Sequence, residues 1–188
     1  MTAGTKAADH GAGVAFHPVG VFSNVQSLSV PMETPKLETE VQVMFFDTDA
    51  GGVVHNIAYL RFIETNRSLL AEKLGWPLGE MLNHGDCPVV VRTEIDYRRP
   101  GKLWDKLLVH GELERFERSR FWCRFTIVRP KDGQLLVTCR QMLVVVRLPE
   151  MNIQRLPAHW ENEFGHLKAK PVEVGEDSPQ RRRGHEGN

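Results

Sequence analysis

The chain has 188 residues, which is enough for one domain with a sizeable hydrophobic core. Its 24 Lys and Arg residues balance 24 Asp and Glu residues, so neither a strongly basic nucleic-acid binder nor a polyacidic protein is indicated. The 3 cysteines are scattered without metal-ligand spacing, which indicates neither a disulfide framework nor a zinc site. Because the sequence shows no run long enough for a membrane span and no secretory signal pattern, we expect a cytoplasmic protein.

The first part of the chain changes character near Leu37. Residues 1–36 are rich in Gly, Ala, Ser and Pro without sustained periodicity, which predicts a disordered leader. From Leu37 onward alternate residues are apolar or β-branched, a pattern typical of a half-buried strand. The predicted inward-facing residues of this strand are Thr39, Val41, Val43 and Phe45.

An acidic, glycine-containing loop follows and runs directly into a long helix. Asn56 is predicted as the N-cap of this helix, and Gly75 with Pro77 as its C-terminal stop. Apolar positions cover more than half of the helix circumference, which predicts a helix enclosed by a curved sheet. These positions are Tyr59, Leu60, Phe62, Ile63, Leu69, Leu70, Ala71 and Leu74, and the predicted solvent-facing strip contains Arg61, Thr65, Ser68 and Glu72.

The loop has the composition of a site for a reacting carbonyl group. Gly51 and Gly52 allow a ligand to approach the backbone, and the helix start offers unpaired N–H groups to a developing oxyanion. Asp49 precedes Asn56 by seven residues and would face the bound carbonyl. The alternative is a tight turn that the Asp49 carboxylate merely caps, and the residues alone leave both interpretations open. Asp47 would point away from Asp49 in an extended loop, which predicts a structural role for it.

Further strands are predicted after the helix, separated by turn residues. One buried helix followed by antiparallel strands predicts an α+β fold whose sheet curls around the helix. Residues 168–188 have almost no apolar content and predict a disordered tail. The predicted strands span 89–97, with Val89, Val91, Thr93, Ile95 and Tyr97 on one face, then 107–117, 121–129 and 135–148, with a hairpin turn at 130–133 and a short helix near 157–164.

The segment 47–75 resembles the signature of the hotdog-fold acyl-CoA thioesterases of the 4-hydroxybenzoyl-CoA thioesterase family. The residues that match the family pattern are Asp49, Gly52, Val53, Val54 and Tyr59. The resemblance implies a hotdog domain over residues 37–167, in which a curved antiparallel sheet wraps around a long central helix. It also implies an acyl-CoA thioesterase that needs no metal or redox cofactor, with the CoA thioester as its substrate.

The resemblance also implies roles for particular residues. Asp49 would be the nucleophile or general base, and the backbone N–H of Asn56 would polarise the thioester carbonyl. Another branch of the family uses a helix glutamate at the position of Glu64, whose alternative here is an ion pair with Arg67. Many family members have Tyr-His where this chain has His55-Asn56, so no side-chain catalytic role is transferred to His55. The implied substrate-binding residues are Gly51, Gly52, Val54, His55, Tyr59, Arg118, Ser119 and Arg120.

Two basic clusters have the charge needed to bind the phosphates of CoA. The alternative is that residues flanking turns are basic for solubility alone. The resemblance slightly favours the cluster near Ser119, since that region commonly lies near the pantetheine arm. The clusters are Arg98, Arg99 and Lys102, and Arg115, Arg118 and Arg120.

The sequence therefore predicts an acyl-CoA thioesterase that self-associates as a dimer or tetramer, since a lone hotdog domain leaves a sheet edge and part of its cleft open. No nucleic-acid partner is indicated. Two alternatives are a hotdog hydratase or dehydratase, whose usual histidine-bearing motif is not visible, and a non-catalytic acyl-CoA-binding hotdog module, in which Asp49 would have no chemical role. The acyl group is not specified by the sequence.

Overall fold

A computed structural model of the protein describes residues 33–169. These residues form the strands β1 (Lys36–Gln42), β2 (Asp86–Tyr97), β3 (Lys106–Phe116), β4 (Arg120–Arg129), β5 (Gln134–Arg147) and β6 (Asn152–Ile153), and the helices α1 (Asn56–Lys73), α2 (Leu78–His84) and α3 (His159–Glu163). The strands form one antiparallel sheet in the order β1-β3-β4-β5-β2, with β6 paired to β5. The predicted α+β architecture, an antiparallel sheet packed against one long helix, is confirmed.

Strand β1 shows the predicted alternation, which ends two residues earlier than expected. Its odd-numbered residues are half-buried and its even-numbered residues exposed, and the following Val43 is fully buried. The prediction for Phe45 is wrong, because residues Phe45–Asp47 form a 3-10 helix that leaves this side chain 80% exposed.

Helix α1 buries one face rather than most of its circumference. The sheet covers only one side of the helix, and Leu69 on the other side is 42% exposed, contrary to the prediction. Arg61, Thr65 and Glu72 are exposed as predicted, whereas Ser68 is partly buried. The apolar residues that the helix and its C-cap bury are Ala58, Tyr59, Phe62, Ile63, Leu70 and Leu74.

The predicted alternation also fails at one point in β2. Its pairing with β5 shifts register between Val90 and Arg92. The extra residue in this bulge is Val91, which turns outward and is 52% exposed, while Val90 packs against the core.

Strand β4 agrees with the sequence pattern, and α3 closes the adjacent end of the core. The side chains of Phe121, Cys123, Phe125 and Ile127 are all buried on one face, as predicted. Trp160 of α3 is also buried, and its indole N–H donates to the carbonyl of Leu74 at 3.0 Å, just beyond the end of α1. The short predicted helix near 157–164 therefore exists and seals one end of the layer between helix and sheet.

A buried amide ties α1 to the sheet. Nδ2 of Asn66 donates to the carbonyls of Leu37 and Val109 and to Oγ1 of Thr39, at 3.2, 3.0 and 3.1 Å. A Cβ on Gly111 would lie only 1.9 Å from Oδ1 of Asn66, so the strand must carry glycine here to admit the amide.

The predicted leader and tail fall mostly outside the described residues, which exclude 1–32 and 170–188. Within the described part, β1 already begins at Lys36. At the other end, Lys168 pairs with Phe116 in an isolated bridge, and Ala169 donates its N–H to the carbonyl of Phe116 at 2.8 Å.

Candidate active site

The start of α1 presents backbone N–H groups without acceptors. Helix α1 begins at Asn56, and His55 is its N-cap: Nδ1 of His55 accepts the N–H of Ala58 at 3.2 Å. The prediction of Asn56 as the N-cap is therefore wrong by one residue, because an imidazole nitrogen takes the acceptor role that Asn usually fills. Within residues 33–169 the N–H groups of Asn56 and Ile57 have no hydrogen-bond acceptor, and both residues are exposed.

The loop before α1 is a tight hairpin that carries Asp49. The N–H of Asp49 donates to the carbonyl of Val53, and the N–H of Gly52 donates to the carbonyl of Asp49, both at 2.9 Å. Gly52 has a φ of +70°, which favours glycine. Because Thr48 also pairs with Val54, the chain folds back and places Asp49 beside the residues that lead into the helix.

The Asp49 carboxylate uses one oxygen for the turn. Its Oδ1 accepts the N–H of Gly51 at 2.8 Å, so the capping interaction of the simpler interpretation is present. No group among the described residues donates to Oδ2, and the residue is exposed. The carboxylate can therefore stabilise the loop and still offer an oxygen to a substrate.

The neighbouring Asp47 is structural, as its position predicted. Its buried carboxylate accepts the N–H of Met44 at 3.0 Å and Nη2 of Arg61 at 2.6 Å. Its carbonyl also accepts the N–H of His55 at 3.0 Å. Asp47 thus joins the end of β1 to the start of α1.

Tyr59 holds the turn between β2 and β3 against the helix start. Its hydroxyl accepts the N–H of Gly101 at 2.7 Å, and burial raises the pKa of that hydroxyl. The carbonyl of Gly101 accepts the N–H of Val54 at 2.9 Å. Tyr59 and Val54, both predicted to bind substrate, have buried side chains in this structure, and their role toward a substrate stays a prediction.

A pocket of about 270 Å³ opens beside the helix start, and its aromatic wall was not predicted from the sequence. Tyr97, at the end of β2, donates its hydroxyl to the carbonyl of Asn56 at 3.5 Å, and burial raises its pKa. The signal in the sequence was an aromatic residue immediately before the basic pair Arg98 and Arg99. The pocket is lined by Val54, Asn56, Tyr59, Tyr97, Arg98, Arg99 and Pro100.

The second basic cluster lies at the opposite end of α1. Arg118 and Ser119 lie in the turn between β3 and β4, and Arg120 begins β4, near the end of the core that Trp160 closes. Helix α1 has 18 residues, so it separates the two ends by about 27 Å. Arg120 is paired with Glu117 at 2.5 Å. Within one chain, the structure does not bring this cluster to Asp49, and its predicted contact with substrate stays a prediction.

Glu64 lies at the mouth of an apolar cleft of about 200 Å³ that the sequence did not reveal. Its side chain is 68% exposed and pairs with Arg67 at 3.4 Å, the alternative that the sequence offered. Nη1 of Arg67 also donates to Oε1 of Gln141 at 2.5 Å. Burial raises the pKa of the Cys123 thiol in the cleft wall to about 12. The apolar lining is Leu70, Ala71, Leu74, Trp76, Leu78, Met81, Cys87, Pro88, Phe121, Cys123, Leu143 and Trp160.

The described residues contain neither a membrane-spanning helix nor a cluster of metal ligands. No helix in the described part of the chain is long and apolar enough to cross a membrane. Among residues 33–169, no group of three or more His, Cys, Asp or Glu side chains is placed to bind a metal ion.

A curled antiparallel sheet packed against one face of a long helix defines a hotdog-fold protein, and at the start of this helix free N–H groups follow the loop that carries the exposed Asp49 carboxylate. Residues 43–172 match the thioesterase-like superfamily, and the chain belongs to it. The predictions of a hotdog fold and of a thioester-hydrolysing enzyme are confirmed.

Relatives of known sequence and structure agree with this placement. A 1,4-dihydroxy-2-naphthoyl-CoA hydrolase from Synechocystis sp. is 31% identical over 130 residues, which cover 68% of this chain and 94% of that protein. The acyl-CoA thioesterase YbgC of Haemophilus influenzae is 30% identical over 129 residues, covering 68% of this chain and 93% of the relative. The crystal structure of Slr0204, a 1,4-dihydroxy-2-naphthoyl-CoA thioesterase from Synechocystis, matches with a TM-score of 0.63 and 26% identity, covering 70% of this chain and 97% of that one.

Proposed function

We propose that this protein hydrolyses an acyl-CoA thioester to a free acid and CoA at the start of α1. The observation that carries the proposal is that two N–H groups, on Asn56 and Ile57, and one oxygen of Asp49 in the preceding loop all lack partners among the described residues. The names of the relatives supply the substrate class, acyl-CoA.

The free N–H groups would stabilise the charge that develops on the carbonyl oxygen. A thioester carbonyl that accepts hydrogen bonds from Asn56 and Ile57 becomes a better electrophile, and its tetrahedral intermediate is stabilised further by the positive end of the helix dipole. Two backbone donors require no change of protonation. The chemistry therefore needs only one additional group, a nucleophile or a base.

Asp49 would supply that group in one of two ways. In the first, its free oxygen attacks the carbonyl carbon, the C–S bond breaks, CoA leaves as a thiolate, and water then hydrolyses the mixed anhydride. In the second, Asp49 takes a proton from water, the hydroxide attacks the carbonyl, and the proton passes to the departing thiolate. Both routes leave the carboxylate in its starting state.

The basic residues beside the pocket are suited to the nucleotide end of CoA. Arg99 has no carboxylate partner among the described residues, and Arg98 has only Asp96, at 3.9 Å. Both line the pocket at the helix start. Arg118 likewise pairs with no described carboxylate. Because it lies at the opposite end of α1 from this pocket, it would reach the same ligand only from a neighbouring subunit.

A second copy of the chain is the partner that the sheet edge favours. Strand β2 ends the sheet, and its outer edge pairs with no strand among the described residues. It also borders the apolar cleft through Cys87 and Pro88. Joining two sheets along β2 would satisfy the open backbone groups and place the second subunit beside the cleft.

The experiment is thiol release measured across a panel of aromatic, branched and long-chain acyl-CoA thioesters, with wild-type protein and Asp49→Asn. Hydrolysis of at least one thioester, lost in the variant, is the expected result. Tight binding of acyl-CoA without thiol release would instead identify a non-catalytic binding module. Hydration of an enoyl-CoA without thioester cleavage would identify a hydratase.

A further inference from the structure

We propose that Asp105 is a positioning residue for the hydrolysis. Its carboxylate fixes the turn at 101–105, and this turn supports the loop that carries Asp49. The inference rests on the proposed function, since it concerns the geometry of that same site. Asp105 follows the pocket-lining residues in sequence but does not itself line the pocket.

The turn at 101–105 is the external support of the Asp49 loop. The N–H of Val54 donates to the carbonyl of Gly101 at 2.9 Å, and Val53 pairs with Lys102 in an antiparallel bridge. The carbonyl of Val53 also accepts the N–H of Asp49. A shift of the turn would therefore move Val53 and, through this hydrogen bond, Asp49. Space is tight as well, because a Cβ on Gly101 would lie 3.0 Å from Cγ2 of Val54.

Asp105 is the group that holds this turn in shape. Its side chain is only 3% exposed, and its Oδ2 accepts the N–H of Lys102 at 2.9 Å and Nη1 of Arg129 at 3.1 Å. Its Oδ1 accepts Nζ of Lys131. Arg129 also donates to the carbonyl of Pro100 at 3.3 Å, so the hairpin between β4 and β5 clamps both ends of the turn.

Replacing this carboxylate with an amide should misplace the loop rather than unfold the protein. Asp105→Asn keeps the size of the side chain but removes the charge that faces Arg129 and Lys131, and one of the two terminal atoms becomes a donor. The turn would then relax toward other hydrogen-bond partners. A displacement of about 1 Å at a reacting group can lower the rate by about 100-fold, even when the mutation is remote.

The test compares the steady-state kinetics of Asp105→Asn and Glu114→Gln, assayed well below their melting temperatures. Glu114 is the matched control, since it forms a bidentate salt bridge with Arg140, with both contacts at 2.7 Å. It lies on β3, away from the loop that carries Asp49. Asp105→Asn should lower kcat by about 10- to 100-fold with KM within about threefold, whereas Glu114→Gln should keep kcat within about twofold. A folded Asp105→Asn with wild-type kcat overturns the proposal.

A double-mutant cycle separates positioning from general destabilisation. Tyr59→Phe removes the hydroxyl that accepts the N–H of Gly101, so it loosens the same turn from the other side. The kcat losses of Tyr59→Phe and Asp105→Asn should therefore combine to less than their product. Losses that multiply independently would contradict a shared path through the turn.

Lys131→Met keeps the proposal testable if Asp105→Asn fails to fold. Lys131 is largely exposed on the hairpin, so its loss removes one donor to Asp105 with little effect on the core. Its kcat should fall by about 3- to 10-fold with KM little changed, and an unchanged kcat would overturn the proposal. Failure of the proposed function would look different, because the wild-type protein would then hydrolyse no thioester.

Discussion

At the scale of single residues, Asp49 uses one carboxylate oxygen in the structure of its loop and leaves the other available for the chemistry proposed above. The oxygen bonded to Gly51 closes a turn, and the other faces outward without a partner among the described residues. The capped turn predicted from the sequence is therefore observed, and the catalytic role of the same carboxylate stays a proposal that this geometry permits. A substitution that keeps the first oxygen and neutralises the second can separate them.

Asp49→Asn is that substitution. The amide oxygen can still accept the N–H of Gly51, so the melting temperature should stay close to that of the wild type, with at most about 1 kcal/mol lost. Without a nucleophile or base, kcat should fall by about two to four orders of magnitude. Thiol release and thermal unfolding measure the two quantities.

Glu64→Gln is the matched comparison for Asp49→Asn. Glu64 is an exposed carboxylate on α1 whose observed partner is Arg67, so its loss should leave most of the turnover intact. The reverse outcome, an inactive Glu64→Gln and an active Asp49→Asn, would place the catalytic carboxylate on the helix. If both variants keep full turnover, the mechanism proposed above is wrong.

The contact between Asn66 and Gly111 predicts a large packing effect. In Gly111→Ala the new Cβ would lie 1.9 Å from Oδ1 of Asn66 and 2.9 Å from the ring of Phe125, so the free energy of unfolding should fall by about 1–3 kcal/mol. Urea denaturation measures the change. The double variant Asn66→Ala with Gly111→Ala should lose less than the sum of the single losses, and a fully stable Gly111→Ala would contradict the geometry.

At the scale of elements, most strands and the long helix could be predicted from periodicity, but local irregularities could not. The spacing of Phe121 through Ile127 matches the observed inner face because β4 pairs regularly there. Val91 and Phe45 break the same rule, since a bulge and a 3-10 helix each shift the register of side chains. Such shifts depend on the partner strand or the following loop, which local alternation does not report.

The contacts of Asp105 and Asp132 with the hairpin between β4 and β5 predict that the protein loses stability in acid. Burial alone would raise the pKa of Asp105, but hydrogen bonds from Lys131, Lys102 and Arg129 outweigh it and hold that pKa below its usual range. The hydrogen bond from Arg129 is the main cause of the lowered pKa of Asp132. Groups with a lowered folded-state pKa stabilise the fold above their unfolded pKa of about 4, and that stabilisation is lost as the pH falls through the folded value.

The melting temperature should therefore change little between about pH 7 and 5 through these two groups and fall below about pH 4. Scans of thermal unfolding against pH measure this dependence. Asp105→Asn, which cannot titrate at this position, should show a smaller fall below pH 4 than the wild type. Parallel curves for the two proteins would show that Asp105 does not contribute to the acid transition.

At the scale of the whole molecule, the apolar cleft illustrates why the loop before α1 could be predicted from the sequence and the cleft near Glu64 could not. The loop and the helix start are contiguous in sequence, so one motif revealed them. The cleft near Glu64 is assembled from α1, α2, β2, β4, β5 and α3, and its residues are distant from one another in the chain. No local pattern reports which of those elements will meet.

The open edge of β2 predicts a dimer in solution. Light scattering should give about twice the mass of one chain, and Val91→Lys, which adds a charge at this exposed edge position, should shift the protein toward monomer and lower its activity. Glu38→Lys on the opposite edge strand, β1, is the matched control and should leave both properties unchanged, because the exposed Glu38 side chain pairs, among the described residues, only with the surface residue His110. A fully active monomer would contradict this assembly.

The strand order also governs how the chain can fold while it is being synthesised. Strand β2 precedes β3 and β4 in sequence but pairs with β5, and Asp86 meets Arg147, 61 residues further along the chain. At about 5–20 residues per second, a ribosome needs roughly 3–12 s to supply that partner. During this interval both edges of β2 are unpaired, so the nascent chain passes through a stage that is open to mispairing with its neighbours and to capture by chaperones.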